Sequence, residues 1–241
     1  MRIDILTIFP EMLEGFFAAG VIGQARERGL IEINVHDLRD FAYDKHRTVD
    51  DRPYGGGPGM VLKPEPFFRG VEALRAQLPP GSTPRVILLS ARGKLFNQKM
   101  AKELAKEEFL ILLCGRYEGV DERVLHITTD ELSIGDFVLS GGEIAAAAVA
   151  EAVARLVPGV IGDYESVKHD SFHDEDLLGP PQYTRPPVYR GLAVPEVLLS
   201  GDHEEIEEFR RQKRLEKTAK NRPDLLSDQR SAKGRELKAE G

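Results

Sequence analysis

The chain has 241 residues, 41% of them hydrophobic and 30% charged, with a formal net charge of −7. That composition is ordinary for a globular protein, the length suffices for one large domain or two modest ones, and the acidic balance argues against a surface that is basic throughout. The single cysteine, Cys114, excludes an internal disulfide and a thiolate zinc cluster and suits the cytosol.

The opening "MRIDILTIFP" lacks the long apolar region and small-residue cleavage site of a signal peptide, and residues 2–8 read as a buried first strand. Pro10 suits the first turn of a helix over "PEMLEGFFAAG" and Gly20 its end. "IEINVHDL" alternates like a second strand. Residues 39–59 read as loop and run into "PYGGGPGM" (53–60), whose four glycines and two prolines suit neither a helix nor a central strand. "PEPFFRGVEALRAQL" reads as a helix, "RVILLS" (85–90) as a strand, "NQKMAKELAKEE" as a helix capped by Asn97, and "FLILLC" (109–114) as a further strand. "ELSIGDFVLSGG" holds a short strand and a loop. The Ala-rich run from Glu143 is broken by Glu151, Arg155 and Pro158, so it reads as a buried helix. A membrane span would need about 20 apolar residues. No membrane association is expected, and the location expected is cytoplasmic.

Apolar strands separated by helices predict an α/β fold with a mostly parallel sheet covered on both faces. After Pro158 the composition turns to Pro, Gly and Asp, with "GPPQYTRPPVYRG" the extreme, and residues 158–195 read as a linker or an extended wrapping segment. The helical run "GDHEEIEEFRRQKRLEKTAKNRPDLL" follows. The expected organisation is an α/β domain over 1–160, a linker over 161–172, and a small C-terminal helical domain over 173–241.

Open parallel sheets bind ligands at the carboxyl ends of their strands. Three strand ends run into glycine-bearing loops: Ser90-Ala91-Arg92-Gly93, Gly115-Arg116-Tyr117-Glu118-Gly119, and Asp136-Phe137-Val138-Leu139-Ser140-Gly141-Gly142. Together they could form a pocket of main-chain groups suited to a flat heterocycle. Glycine also serves tight turns alone, so any one loop by itself is more often structural. No Walker loop, G-x-G-x-x-G after a strand, H-E-x-x-H or G-x-S-x-G occurs.

Residues 210–222 hold Arg210, Arg211, Lys213, Arg214, Lys217, Lys220 and Arg222 against one acid, Glu216. The acids Glu204, Glu205, Glu207 and Glu208 precede them. That order suits the dipole of a single solvated helix. It also suits a local phosphate-tracking surface. Lys45, His46, Arg47 and Arg52 beside the glycine loop are a second cationic candidate. In "KHDSFHDEDL", Asp170 is either a helix cap or a general base. Asp174, Glu175 and Asp176 offer metal ligands on paper, but clustered acids in a linker are more often solvated, and no metal site is expected.

Six segments in order, "DDRPYGGGPGM", "CGRYEGVDER", "SIGDFVLSGGE", "AVARLVPGV", "DSFHDEDLLGPPQYTRP" and "VPEVLLSGDHEEIEEFRRQ", resemble the bacterial tRNA (guanine-N1)-methyltransferase family, called TrmD, of the SPOUT class. The resemblance covers nearly the whole chain. It implies a deep trefoil knot, S-adenosyl-L-methionine as methyl donor, and a homodimer with its active site between subunits. The implied reaction is methylation of N1 of the guanosine directly 3′ of the anticodon in tRNA. Carried over by motif, the cofactor site would comprise Leu88, Ser90, Gly115, Tyr117, Glu118, Gly119, Ile134, Gly135, Asp136, Phe137, Val138, Leu139, Gly141 and Gly142. Asp170 would be the general base and Arg155 the partner of the guanine. On that footing Tyr54, Gly55, Gly57, Gly59, His46, Arg52, Arg214 and Lys217 are the substrate-binding candidates. The chain departs from the family pattern at Ala91 (usually proline), Phe137 (often tyrosine) and Gly179 (often an acid). Rival readings are a knotted methyltransferase acting on ribosomal RNA and an RNA-binding protein that holds a nucleotide as a signal.

Overall fold

The computed structural model describes residues 1–162, 167, 170–173 and 177–226. The chain divides into two compact units, Met1–Gly162 and Asp163–Gly241.

The first unit is built on a five-stranded sheet. Its strands are β1 (Arg2–Thr7), β2 (Glu32–Asp37), β5 (Arg85–Leu95), β6 (Phe109–Cys114) and β7 (Asp130–Ser133). They lie in the order β2-β1-β6-β5-β7, and every neighbouring pair is parallel. Side chains alternate along a strand, so a sheet covered on both faces must be apolar at consecutive positions. That is what β5 and β6 show. Ile87, Leu89, Leu110 and Leu112 enter one core with the helices α1 (Glu11–Phe17), α2 (Gly20–Glu27), α4 (Gln98–Leu104) and α5 (Glu143–Ala154). Val86, Leu88, Ile111 and Leu113 enter the other, against Phe67, Val71 and Leu74 of α3 (Pro64–Ala76). The α/β class with a mostly parallel sheet, expected from the sequence, is therefore the observed one.

Local signals decide several element ends. Asn97 caps α4 by accepting a hydrogen bond from the Met100 N–H at 3.0 Å. Pro64 stands at the first position of α3, where its missing N–H costs nothing. Three elements differ from the sequence reading. The helix expected over 10–20 stops at Phe17, and a second one, α2, starts at Gly20, whose φ of +64° only glycine adopts without strain. The strand expected to end at Ser90 continues to Leu95, with a register shift against β7 between Leu89 and Lys94. A Cβ at Gly93 would stand 2.5 Å from the backbone of Glu131 and Leu132, so this glycine lets two strands meet. Within 39–59 and just after it, a 3₁₀ turn at Leu38–Phe41 and a two-residue ladder of β3 (Asp50–Asp51) with β4 (Val61–Leu62) interrupt the loop.

The second unit contains the hairpin of β8 (Val188–Tyr189) and β9 (Leu192–Ala193), and the helix α6 (His203–Asn221). Arg190 and Gly191 turn the hairpin with positive φ at both positions, the geometry that matches strand twist. Asp202 caps α6 through the N–H groups of Glu204 and Glu205. Buried Thr218 accepts from the Leu178 N–H at 3.0 Å, and Arg214 Nε donates to the Leu178 carbonyl at 3.3 Å, so α6 is tied to the extended segment before the hairpin. Asp174, Glu175 and Asp176 lie outside the described residues.

Candidate functional site

A cleft of about 240 Å³ opens at the carboxyl ends of β6 and β7 and along residues 88–92 of β5, where its register against β7 shifts. Its walls are Leu88, Ser90, Ala91 and Arg92 from β5, residues 115–120 after β6, and Ile134, Gly135, Phe137, Val138, Leu139, Gly141 and Gly142 after β7. Thirteen of the fourteen cofactor candidates thus line one cavity; the exception, Asp136, is exposed and outside the lining. The departure Ala91 also lines it.

Several glycines of the lining have local reasons to lack a side chain. Gly142 packs 2.9 Å, measured from a built Cβ, against the Cys114 α-carbon, and its N–H donates to the Gly115 carbonyl at 2.8 Å. Gly135 makes room for the Phe137 ring, which a Cβ would approach to 2.3 Å. Gly141 faces an ion pair: its Cβ would stand 2.3 Å from Arg116 Nε and 2.5 Å from Glu143 Oε2. Gly141 and Gly142 therefore serve close packing of the last loop on the end of β6 and the residues after it, and the cleft lies beside that packing. Tyr117 holds a φ of +62° at the rim, a strained conformation for a residue with a Cβ.

The glycine loop is stitched to the same cleft. Glu118 N–H donates to the Met60 carbonyl at 3.0 Å, Leu62 N–H to the Gly119 carbonyl at 3.0 Å, and Asp121 N–H to the Leu62 carbonyl at 2.9 Å. These bonds set Gly59 against the Glu118 side chain. Tyr54 is fully exposed, and His46, Arg52, Gly55 and Gly57 are exposed with it. Arg155 is the exposed C-cap of α5. Asp170, Arg214 and Lys217 belong to the second unit. Asp170 is half-buried and its carbonyl accepts from the His173 N–H; the neighbouring Ser171 Oγ accepts from the N–H of Gly179 at 2.9 Å.

Sequence reasoning missed the polar framework beneath the cleft. Buried Glu143 accepts from Thr7 Oγ1 at 2.6 Å and from Arg116 Nε at 3.1 Å. Removing one partner of a buried pair costs about 3–5 kcal/mol, since the other charge is left without compensation. The individual charges were visible, an arginine two residues after an apolar strand and an acid opening an apolar helix, but not their pairing. Beside them, burial raises the Cys114 pKa well above the usual thiol value, reinforced by the Glu143 charge and opposed by Arg116, so Cys114 is no thiolate nucleophile.

Leu88, Ile134 and Leu139 bring apolar side chains to the lining and Glu118 a carboxylate, a combination suited to a flat apolar ring joined to a cationic group. The fold and the cleft define a class: parallel α/β proteins with a ligand-sized pocket on the side of the sheet where the strands end. Residues 1–228 match the family model described as tRNA (Guanine-1)-methyltransferase TrmD, and the chain belongs to that family. Relatives named tRNA (guanine-N(1)-)-methyltransferase come from Dictyoglomus turgidum, 56% identical over 226 residues, and Moorella thermoacetica, 57% identical over 230. A third, from Thermotoga maritima, is 55% identical over 226 residues. Each alignment covers 94% of this chain and 90% of the relative.

Proposed function

We propose that this chain transfers the methyl group of S-adenosyl-L-methionine to N1 of the guanosine directly 3′ of the anticodon in tRNA. The observation that carries the reading is the convergence of three strands and the glycine loop on one cleft, in a chain of this family. The donor fits the cleft chemically: the apolar side chains suit an adenine, and Glu118 offers a carboxylate to a cationic group. When bound, it supplies an activated methyl on a sulfonium.

This chain's own residues then handle the guanine. N1 is a poor nucleophile because it carries a proton. Asp170 accepts that proton, the task of a general base within hydrogen-bond reach. Negative charge builds on O6 as the proton leaves, and the Arg155 guanidinium stabilises it, more strongly where water is excluded. N1 lies on the pairing edge, so the base must leave its stack, which a loop nucleotide does at low cost. Tyr54 offers a stacking face. Gly55, Gly57 and Gly59 let main chain approach the base, and His46 and Arg52 supply cationic contacts.

The finer architecture belongs to the same proposal. Residues 1–160 form the cofactor domain, 161–172 the linker and 173–241 a tRNA-binding domain in which Arg214 and Lys217 meet phosphates. A deep trefoil knot in the cofactor domain is part of the same reading. The enzyme works as a cytoplasmic homodimer with its active site between subunits. Among the described residues no helix is long and apolar enough to cross a membrane. A methyl-transfer assay with labelled donor and a tRNA transcript, followed by mapping of the modified nucleotide, tests the reading. Label at N1 of that guanosine supports it, and label in ribosomal RNA alone overturns it.

A further inference from the structure

We propose that Glu143 is a positioning residue for the cofactor cleft, acting through Arg116 to set the spacing of the two loops that wall it. The proposal rests on the reading of this cleft as the S-adenosyl-L-methionine site.

Three chain segments meet at Glu143. Thr7 is the last residue of β1, Arg116 follows β6, and Glu143 opens α5 directly after the 134–142 loop. Thr7 and Glu143 are 0% and 1% exposed, and neither lines the cleft. Arg116 does line it. Of the hydrogen bonds its side chain makes, those with Arg116 are the ones that reach the lining, so Arg116 is the route to test.

The geometry makes that passage rigid. Glu143 Oε1 accepts from Thr7 Oγ1 at 2.6 Å and from Arg116 Nε at 3.1 Å, and Oε2 takes Arg116 Nη2 at 3.0 Å. Thr7 Oγ1 in turn accepts from the Phe9 N–H at 3.0 Å, so its proton is directed at Glu143. From the other side the guanidinium lies 4.5 Å over the Phe9 ring and donates to Met12 Sδ at 3.0 Å. The pair also presses against the main chain of the opposite loop at Gly141. One antiparallel bridge, Arg116 to Gly141, with its Gly142 N–H donating to the Gly115 carbonyl at 2.8 Å, joins the loops directly. The carboxylate is a second tie, and the one that reaches back to the sheet.

Stability alone gives a poor account of this arrangement. The helix that Glu143 opens already buries Ala145, Ala146, Val149, Ala150 and Val153 in the core. A buried ion pair adds little over apolar residues of the same volume, whereas it does fix direction and distance. Loops held in their bound geometry lose less entropy when a ligand arrives.

Titration calorimetry with S-adenosyl-L-methionine on the full chain tests the idea, using Glu143→Gln, Arg116→Gln and the double variant well below their melting temperatures. Glu143→Gln is expected to raise Kd about tenfold. The double variant should bind no worse than Arg116→Gln, since an effect that passes through Arg116 disappears with it. In turnover, KM for the donor should rise by a larger factor than kcat falls. A merely structural role would lower the melting temperature and leave Kd within about twofold of wild type, and that result, or additive effects in the double variant, overturns the proposal. If Glu143→Gln does not fold, Thr7→Val carries the same readout with a smaller rise, about threefold, and no rise overturns it equally. Failure of the wild-type chain to bind S-adenosyl-L-methionine would overturn the cleft reading and this proposal with it. Binding by wild type together with an unmoved Glu143→Gln would overturn this proposal alone.

Discussion

Gly59 and Glu118 are in contact across two loops: a Cβ at Gly59 would stand 2.5 Å from Glu118 Oε1 and 2.6 Å from its Cγ. Gly59 also holds a φ of +86°. Gly57 shares the positive φ, at +117°, but a Cβ there would meet nothing within 4 Å. Gly59→Ala should therefore displace Glu118 as well as strain the loop, while Gly57→Ala brings strain alone, about 1–2 kcal/mol. The expected loss in kcat/KM for tRNA methylation is at least about tenfold larger for Gly59→Ala. Equal losses in the two variants would show that the Glu118 contact is not what matters.

The proton-transfer step is tested at residue 170. Asp170→Asn keeps the shape and loses the base, so it should retain donor binding and lose at least about a hundredfold in kcat. Arg155→Ala should lower kcat more than it raises KM for tRNA, because O6 carries its charge only as the reaction proceeds. Single-turnover methyl transfer across a pH series reads both. Near wild-type rates for Asp170→Asn at every pH would remove Asp170 from the chemistry.

The cations of α6 are not equivalent. Arg210 pairs with Glu207, Arg211 with Glu208 and Lys213 with Glu216, each one turn apart, and Arg214 is tied to the Leu178 carbonyl. Among the described residues Lys217 has no ion pair. Lys217→Ala should reduce the slope of log K against log salt for tRNA binding by about one. Arg211→Ala should change it less, since its charge is already shared with Glu208. Arg214→Ala should also loosen the attachment of α6 and lower the thermal midpoint. A salt slope unmoved by Lys217→Ala would return α6 to a purely structural role.

Acid sensitivity should trace to Asp4. Burial acts to raise its pKa, but hydrogen bonds from His36 at 2.8 Å and from Arg2 at 2.8 Å outweigh it, and the carboxyl stays below its ordinary value. A depressed carboxyl contributes stability that is full above the unfolded pKa, near 3.8, and is lost as pH falls through the folded value. Urea midpoints from pH 5 down to pH 2 should fall more steeply for wild type than for Asp4→Asn. Asp4→Asn itself should cost about 1–3 kcal/mol at neutral pH. Parallel acid limbs in the two proteins would exclude Asp4 as the source.

Much of the frame is written in local order. Runs such as 86–89 and 109–114 alternate sides of the sheet while staying apolar at every step, so they specify strands covered on both faces. The Asn97 cap and the acid-to-base order of α6 are likewise decided within a few residues. Short-range chemistry needs no partner from far along the chain, which is why it can be read from a linear string. Packing alone decided that β5 runs on to Leu95, since its extension depends on a register shift against β7. Packing alone also joined Arg116 to Glu143 across 27 positions and both to Thr7, and gave Gly141 and Gly59 their reasons to lack a side chain. Which charges meet in a core, and which α-carbons must stay bare to let them, is settled by how sheet and loops close on one another. No spacing along the chain encodes it.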